Sequence, residues 1–465
     1  MSQKQIRFPS DLTKMAEDNF VNGKSVRAFW IVFCISIVLC WLPIKPLAYI
    51  TPWLSIFIIL VLTRSRKILV RLLSVLGVWL ALICVYAIVV PGFFWYSALL
   101  SLFTYGTFVF VMVVPIKFIA SNDLLERAVR ILCWITLLEA IWGIIQGLVA
   151  FSLYGTLDKS VGDSVAGTIR PFLGDVNDLS NQMFAINLSF SFIFLLFSYR
   201  NLTGMLLLLL VLGALIMSSV VHVLISLALS LIVILLLYNL SSIRTMVAIL
   251  SAILVGTFLL FILAPSNLFS VSSHWYNTLN RRTPRSEVVY MLLWDGIKRY
   301  PWMVFVGAGP GQFSSRAGLI GTGMFFGGPA DPRPIPFSPR GMSEIFERYV
   351  LDVWLRMSFY PQVNDTSTAN RPFSSWLSIC VEFGLTTFLF LSFALVRWLW
   401  TVRTISYRTL QFQRGMLISA AMLFLFLLGL FENYWEVPQA IFIGVLVVQI
   451  HYAVLLKNYE VSMRS

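Results

Sequence analysis

Three groups of residues in this 465-residue chain are of types that handle anions. The first is Arg170, within Gly167-Thr168-Ile169-Arg170-Pro171-Phe172-Leu173-Gly174-Asp175-Val176-Asn177-Asp178. A guanidinium there can fork two N–H donors onto a pair of phosphate oxygens. The same side chain at a bilayer edge can equally reach up to lipid headgroups. The second group is Arg281, Arg282 and Arg285, at the head of an amphipathic stretch. Three guanidinium groups at a helix N-terminus add to the field of its exposed N–H groups, which suits a diphosphate and makes a poor cap. A basic face toward anionic lipid is the competing reading. The third is Gly307-Ala308-Gly309-Pro310-Gly311. No Lys-Ser/Thr follows, so it is a close-approach turn and not a P-loop.

Metal and thiol chemistry find no pattern. His222, His274 and His451 lie in separate regions, and no His-Glu-x-x-His or clustered His/carboxylate group occurs. His222 and His451 sit in apolar runs, where packing between helices is the ordinary role; His274 is an acid/base candidate. Cys34, Cys40, Cys84, Cys133 and Cys380 lie within or against apolar runs, without zinc or redox spacing. Glu139, Gln146 and Glu382 are polar residues inside apolar runs, where the choice is between function and packing against a loop.

The elements that position these groups follow from composition. Hydrophobic residues make up 58% and charged residues only 12%, which excludes a soluble enzyme, a disordered chain and a nucleic-acid-binding domain. Mean hydropathy is +0.85. Apolar runs of spanning length predict twelve helices, near 28–44, 47–62, 68–90, 95–115, 129–151, 179–197, 202–217, 219–238, 246–264, 374–395, 414–431 and 439–456. The first run is an uncleaved span, because it lacks a small-residue cleavage site and further spans follow. Arg64, Arg66, Lys67 and Arg71 fall in one short loop, and Arg397, Arg403, Arg408 and Arg414 in another on the same side. Their excess places both termini, 1–27 and 457–465, in the cytoplasm.

Two longer segments then lie outside, 152–178 and 265–373. The second carries eleven Lys and Arg against seven Asp and Glu, a net +4 on the side where positive charge is normally depleted. Topology does not explain that excess; an anionic ligand does. Within it, 284–300 is amphipathic, with Val288, Met291, Leu292 and Trp294 on one face. A second helix is predicted at 342–358, with Ser343 as N-cap and Ile345/Phe346, Tyr349/Val350 and Val353/Trp354 as its stripe. The Gly- and Pro-rich 307–341 reads as irregular loop.

Taken in order, these pieces have a counterpart. Arg-x-x-x-Gly-Asp-x-Asn-x-Leu at 170–179 precedes a span, and Ser218-Ser219 tips a hairpin of two spans. An outer loop with an Arg and a Trp helix leads to Pro301-x5-Gly307-Ala308-Gly309-Pro310-Gly311. Ser374-Ser375-Trp376-Leu377-x4-Glu382-Phe383-Gly384-Leu385 then enters a span. Over roughly 165–395 this resembles the superfamily of O-antigen ligases and O-antigen or exopolysaccharide polymerases. The resemblance implies an all-α polytopic membrane protein of GT-C-like architecture, with a partly helical extracytoplasmic loop subdomain, in the bacterial cytoplasmic membrane. It implies an inverting glycosyltransferase that needs no metal or other cofactor and uses undecaprenyl-diphosphate-linked oligosaccharides. Membrane lipids, a flippase and a chain-length regulator would be its partners; nucleic acid would not.

By the same resemblance Arg170 and Arg285 contact the diphosphate, with Arg281 or Arg282 as the other match. The acceptor base is left open among Asp175, Asp178, Glu344, Asp365 and His274, of which Asp175 and Asp365 are placed in the catalytic set. Arg281, Arg282, Asn177, Asp178, Gly309, Gly311 and Arg371 form the expected substrate-binding set. The His-Asn pair typical of the ligase members reads Phe373-Ser374 here, and the Ser-Arg usual at the hairpin reads Ser218-Ser219-Val220-Val221-His222. Both departures favour a polymerase over a ligase; a lipid-linked glycan transporter is the alternative from another class.

Overall fold

The computed structural model describes residues 23–42, 45–158, 162–170, 180–198, 201–238, 243–327, 332–359 and 373–463, and every regular element among them is a helix. Six helices are long and apolar enough to cross a membrane: Pro46–Thr63, Arg66–Val89, Asn122–Tyr154, Ser180–Ser198, Leu385–Arg408 and Pro438–Ser462. The other expected spans coincide with one bent pair of helices and with apolar helices of 10–17 residues, including Leu202–Ser218, Val221–Leu237 and Phe412–Leu428. Six spans, or seven with the bent pair, are therefore what helix length and composition support.

Burial separates centre from rim. Ser180–Ser198 and Pro438–Ser462 are each 89% buried over their apolar window, whereas Arg66–Val89 is 6% and Leu385–Arg408 11% buried. The centre closes on aromatic rings in small-residue notches. Phe190 meets Phe424 edge-on at 5.2 Å, and Phe442 meets Phe110 at 5.2 Å. A side chain at Gly444 would come within 2.6 Å of the Phe190 ring. In lipid, where apolar burial gives helices little reason to associate, such close packing is what joins them.

Two expected spans are corrected. The run at 95–115 is not one rod: Trp95–Thr104 and Gly106–Val113 meet at Tyr105 with a 62° bend. Gly106 lets this corner close, because a Cβ there would lie 2.9 Å from the Trp53 indole nitrogen. The run at 374–395 is likewise split. Ser375–Glu382 ends at Phe383, and the long helix begins at Leu385 after Gly384, whose φ of 88° is left-handed.

The described residues of segment 265–373 are more helical than its composition suggests. Pro265–Leu279 is followed by Pro284–Met291, whose N-cap Thr283 forms a capping box with Ser286. That helix runs through a π-turn, Leu292–Gly296, into Ile297–Arg299. Ser343 caps its helix as expected by accepting from the Phe346 N–H, and a second π-turn, Glu347–Leu351, precedes Asp352–Phe359. The two helices pack through Val288, Leu292, Phe346, Tyr349 and Val353. Asp295 accepts from the Tyr349 hydroxyl (2.8 Å) and from Arg348 Nε (3.0 Å) across the pair. Trp294 does not join the buried face: it is 62% exposed, since two residues past Leu292 is about 200° round a helix.

The expected irregular loop 307–341 holds the largest surprise. Residues 307–324 are all buried, and Arg316–Thr322 within them is helical. Glycine makes this possible. Gly307 (φ 79°) passes so close to the Glu382 main chain that a Cβ would overlap its carbonyl, and a Cβ on Gly311 (φ 73°) would overlap the Ser97 carbonyl. Such positions combine left-handed strain with steric overlap. Gly307→Ala is therefore expected to destabilise by about 3 kcal/mol or more. Gly77→Ala, on an open helix face with nothing within 4 Å, should leave stability unchanged or raise it. Thermal unfolding of the detergent-solubilised variants compares the two.

Candidate functional site

Segment 162–170, which carries Arg170, is fixed by polar side chains that rise from the Asn122–Tyr154 helix. Gln146 Oε1 accepts from the N–H groups of Ala166 (3.0 Å) and Gly167 (2.8 Å), and its Nε2 donates to the carbonyls of Gly167 and Arg170. Glu139 accepts from Trp41 Nε1 (2.8 Å) and from both the N–H and the hydroxyl of Thr168. These two residues hold a loop, which is the packing reading of polar groups in an apolar run. The Arg170 guanidinium donates to the Asp163 carbonyl at 2.7 Å.

The same segment is stitched to the Ser218-Ser219 turn and to the outer helices. Asn181 Nδ2 donates to the carbonyls of Val165 and Ser218. Ser219 Oγ donates to Leu157 O at 3.0 Å, and Asn267 Nδ2 reaches Ser219 Oγ at 3.2 Å. Asp158 accepts from the N–H groups of Ser266 and Asn267, supplying donors at the head of Pro265–Leu279 with an acceptor. Segment 162–170 and the head of Pro265–Leu279 are therefore anchored about one turn.

Arg285 has a different partner set from the expected one. Its Nη1 donates to Leu430 O (3.0 Å), and its Nη2 to Phe373 O (2.7 Å) and Phe431 O (2.7 Å). The Leu430 and Phe431 carbonyls lie just past the end of Phe412–Leu428, where main-chain acceptors need donors, and Phe373 precedes Ser375–Glu382. The guanidinium thus clamps the 429–436 turn. Arg281 and Arg282 are exposed and stand over rings, Arg281 4.0 Å from the centre of Tyr290 and Arg282 6.0 Å from that of Tyr276. They have no carboxylate partner among the described residues, whereas Arg348 pairs with Asp295 and Arg356 with Glu287 and Asp352. Arg281 and Arg282 are thus exposed cations in the stretch where the sequence suggests an anion site.

The remaining expected residues divide plainly. Gly309 and Gly311 make the close approaches of a buried turn, Gly309 against Phe93 and Tyr86 and Gly311 against Ser97. Glu344 accepts from the Tyr300 hydroxyl at 2.6 Å. His274 lies in the Pro265–Leu279 helix. Asp175, Asn177, Asp178, Asp365 and Arg371 lie outside the described residues. His222 packs between helices, 2.8 Å from the Tyr434 hydroxyl.

Sequence reasoning missed a buried charged cluster. Arg316 Nη2 lies 3.5 Å from Glu432 Oε1, with both side chains almost wholly enclosed. Glu436 accepts from the Thr104 hydroxyl at 2.9 Å, beside the bend at Tyr105. Glu382 accepts from the N–H groups of Gly311 (2.7 Å), Phe313 (3.0 Å) and Ser315 (3.4 Å), fastening the buried glycine turn. Asn433 Nδ2 donates to Ser314 O at 2.6 Å. Arg316 Nε, Glu432 Oε2, Glu436 Oε1 and the Tyr105 hydroxyl have no hydrogen-bond partner among the described residues. The legible signal was Glu432-Asn433-Tyr434-Trp435-Glu436, two acids in a short outer loop, with Arg316 alone in a Gly- and Ser-rich segment.

Burial pushes the Glu436 carboxyl up to about 8, reinforced by the nearby Glu382 charge, and Thr104 and Arg316 pull it back in part. An acid whose folded pKa is raised binds more protons folded than unfolded. Its stabilising contribution is complete below its unfolded pKa and disappears as pH rises through about 8. The melting temperature should fall between pH 5 and 8.5, and Glu436→Gln should flatten that slope. Arg316→Met should destabilise by about 3–5 kcal/mol by leaving buried acids uncompensated, and adding Glu432→Gln should recover part of the loss. Equilibrium unfolding of the single and double variants tests this.

Comparison with known proteins gave no match to a family model, to a curated protein or to a solved structure.

Proposed function

We propose that the chain is a twelve-span membrane glycosyltransferase of the O-antigen and exopolysaccharide polymerase superfamily, with both termini in the cytoplasm of a bacterial cell. It joins undecaprenyl-diphosphate-linked repeat units on the outer face of the cytoplasmic membrane. The order of sequence motifs supports this reading. The observation that carries it is the pair Arg281 and Arg282, exposed and without a carboxylate partner among the described residues, in a segment whose other exposed arginines include several ion-paired ones.

In this reading the growing glycan on its lipid diphosphate is the donor. A hydroxyl of a second lipid-linked unit attacks the donor's anomeric carbon. The bond from that carbon to the phosphate oxygen breaks, the configuration inverts, and the hydroxyl proton passes to a base. The diphosphate departs with its charge met by Arg281, Arg282 and Arg170. Arg285 holds the 429–436 turn and Phe373 through three carbonyls. The donor is already activated, so no sugar nucleotide enters.

One observation favours a reading from another class. A span broken at mid-course, as at Tyr105, is a device of transporters, whose substrates bind at half-helix ends. Purified protein that moves a lipid-linked unit across a vesicle membrane without elongating it would favour that reading. A ligase predicts that a deletion strain accumulates long polymer on its lipid carrier rather than single units.

The test is polymer length. Arg281→Gln with Arg282→Gln should reduce elongation by about 100-fold or more while the protein remains in the membrane, giving single repeat units in place of a ladder. An unchanged ladder from the double variant overturns the assignment.

A further inference from the structure

We infer that the exposed face of Pro284–Arg299 is a membrane-surface site that lies among the headgroups of the adjoining leaflet and takes anionic phospholipid. The inference shares Arg281 and Arg282 with the glycosyl-transfer reading, and its test needs no glycan.

Tyr290, Leu293, Trp294 and Ile297 recur at helical spacing on this face and are all exposed, Leu293 and Trp294 at 62% each. The opposite face is accounted for: Val288 and Leu292 are buried against Phe346, Tyr349 and Val353. The stripe is thus a second apolar surface that the described protein leaves uncovered.

Its ends place it at the bilayer boundary. On one side Pro265–Leu279 follows Ile243–Leu263 with only Ala264 between, and Phe269, Tyr276 and Leu279 are exposed. On the other side Phe305 and Val306 are exposed and pinned to two lipid-facing spans. The Thr386 hydroxyl donates to Phe305 O, at the start of Leu385–Arg408. The Tyr86 hydroxyl donates to Val306 O, near the end of Arg66–Val89. Those two spans are the least buried of the six. A helix whose connections at both sides meet span ends lies near the membrane plane, where aromatic rings and basic side chains settle.

The charge fits the same occupant. Arg281 stands over Tyr290 (4.0 Å), and Lys298 Nζ stands 4.1 Å over the Trp294 ring. The acids of this helix turn away: Glu287 to Arg356 and Asp295 to Arg348 and Tyr349. An aromatic stripe rimmed by cations suits an interface of anionic headgroups and the first carbons of acyl chains.

The test uses the full chain in nanodiscs that hold one copy, made of phosphatidylcholine and phosphatidylglycerol at 3:1. Leu293→benzoylphenylalanine is irradiated, and adducts are read by mass spectrometry; Glu347→benzoylphenylalanine on the neighbouring helix is the control. Position 293 should give lipid adducts with phosphatidylglycerol enriched about fivefold over its share, and position 347 should give none. Arg281→Gln, Arg282→Gln and Lys298→Gln together should return the enrichment toward the mixing ratio. A monodisperse variant with no lipid adduct at 293 overturns the inference. So do adducts that join two chains when two copies share a disc, with none to lipid, because the stripe would then be a protein interface. No glycan substrate is present, so failure here is distinct from failure of the polymerase reading.

Discussion

A helix that leaves the membrane core exposes carbonyls that lipid cannot satisfy. At the C-terminal end of Phe412–Leu428 the donor comes from another part of the chain, the Arg285 guanidinium, which serves Leu430 and Phe431 and also reaches Phe373. This contact fastens the outer segment to the bundle. The turn it grips is held from within as well, where Arg316 meets Glu432 and Asn433 meets the Ser314 carbonyl. Two arginines from one outer segment thus fix one membrane turn, one through main-chain oxygens and one through a carboxylate. The rest of the outer layer is built outward from that seam. Glu382 carries the buried glycine turn, and Asp295 and Glu287 carry the helix pair.

Much of this was legible in the sequence and some was not, for physical reasons. Apolar run length marked where helices form, because a backbone in lipid has no other way to satisfy itself. Ser343 and the Ile345, Tyr349 and Val353 stripe emerged as read, since capping and 3.6-residue periodicity are local properties. The bend at Tyr105 was not legible. It depends on a notch at Gly106 that receives Trp53, a contact between residues far apart in the chain. The buried course of 307–324 was missed because Gly and Pro suggest exposed loop, whereas these glycines serve close approach to Glu382 and Ser97. Trp294 was assigned to the wrong face by composition in place of angle.

The candidate site shows the same division. The net positive charge of segment 265–373 was readable from the sequence, and Arg281 and Arg282 stand in it without a carboxylate partner among the described residues. The partners of Arg285 were not readable, because carbonyls carry no sequence signal. Glu139 and Gln146 illustrate the general lesson for polar residues in apolar runs. Gln146 holds four main-chain groups of segment 162–170 and Glu139 holds Thr168 by its N–H and hydroxyl, so both help to set the position of Arg170.

The paired π-turns have a consequence of their own. Each wedges one surplus residue into its helix, and Asp295 and Tyr349, which bond across the pair, both sit inside these turns. Excising a residue from either would return that turn to α-helical bonding and re-phase the side chains within it, Asp295 or Tyr349 among them. The local winding of the two helices is therefore coupled through one hydrogen bond between residues 54 positions apart.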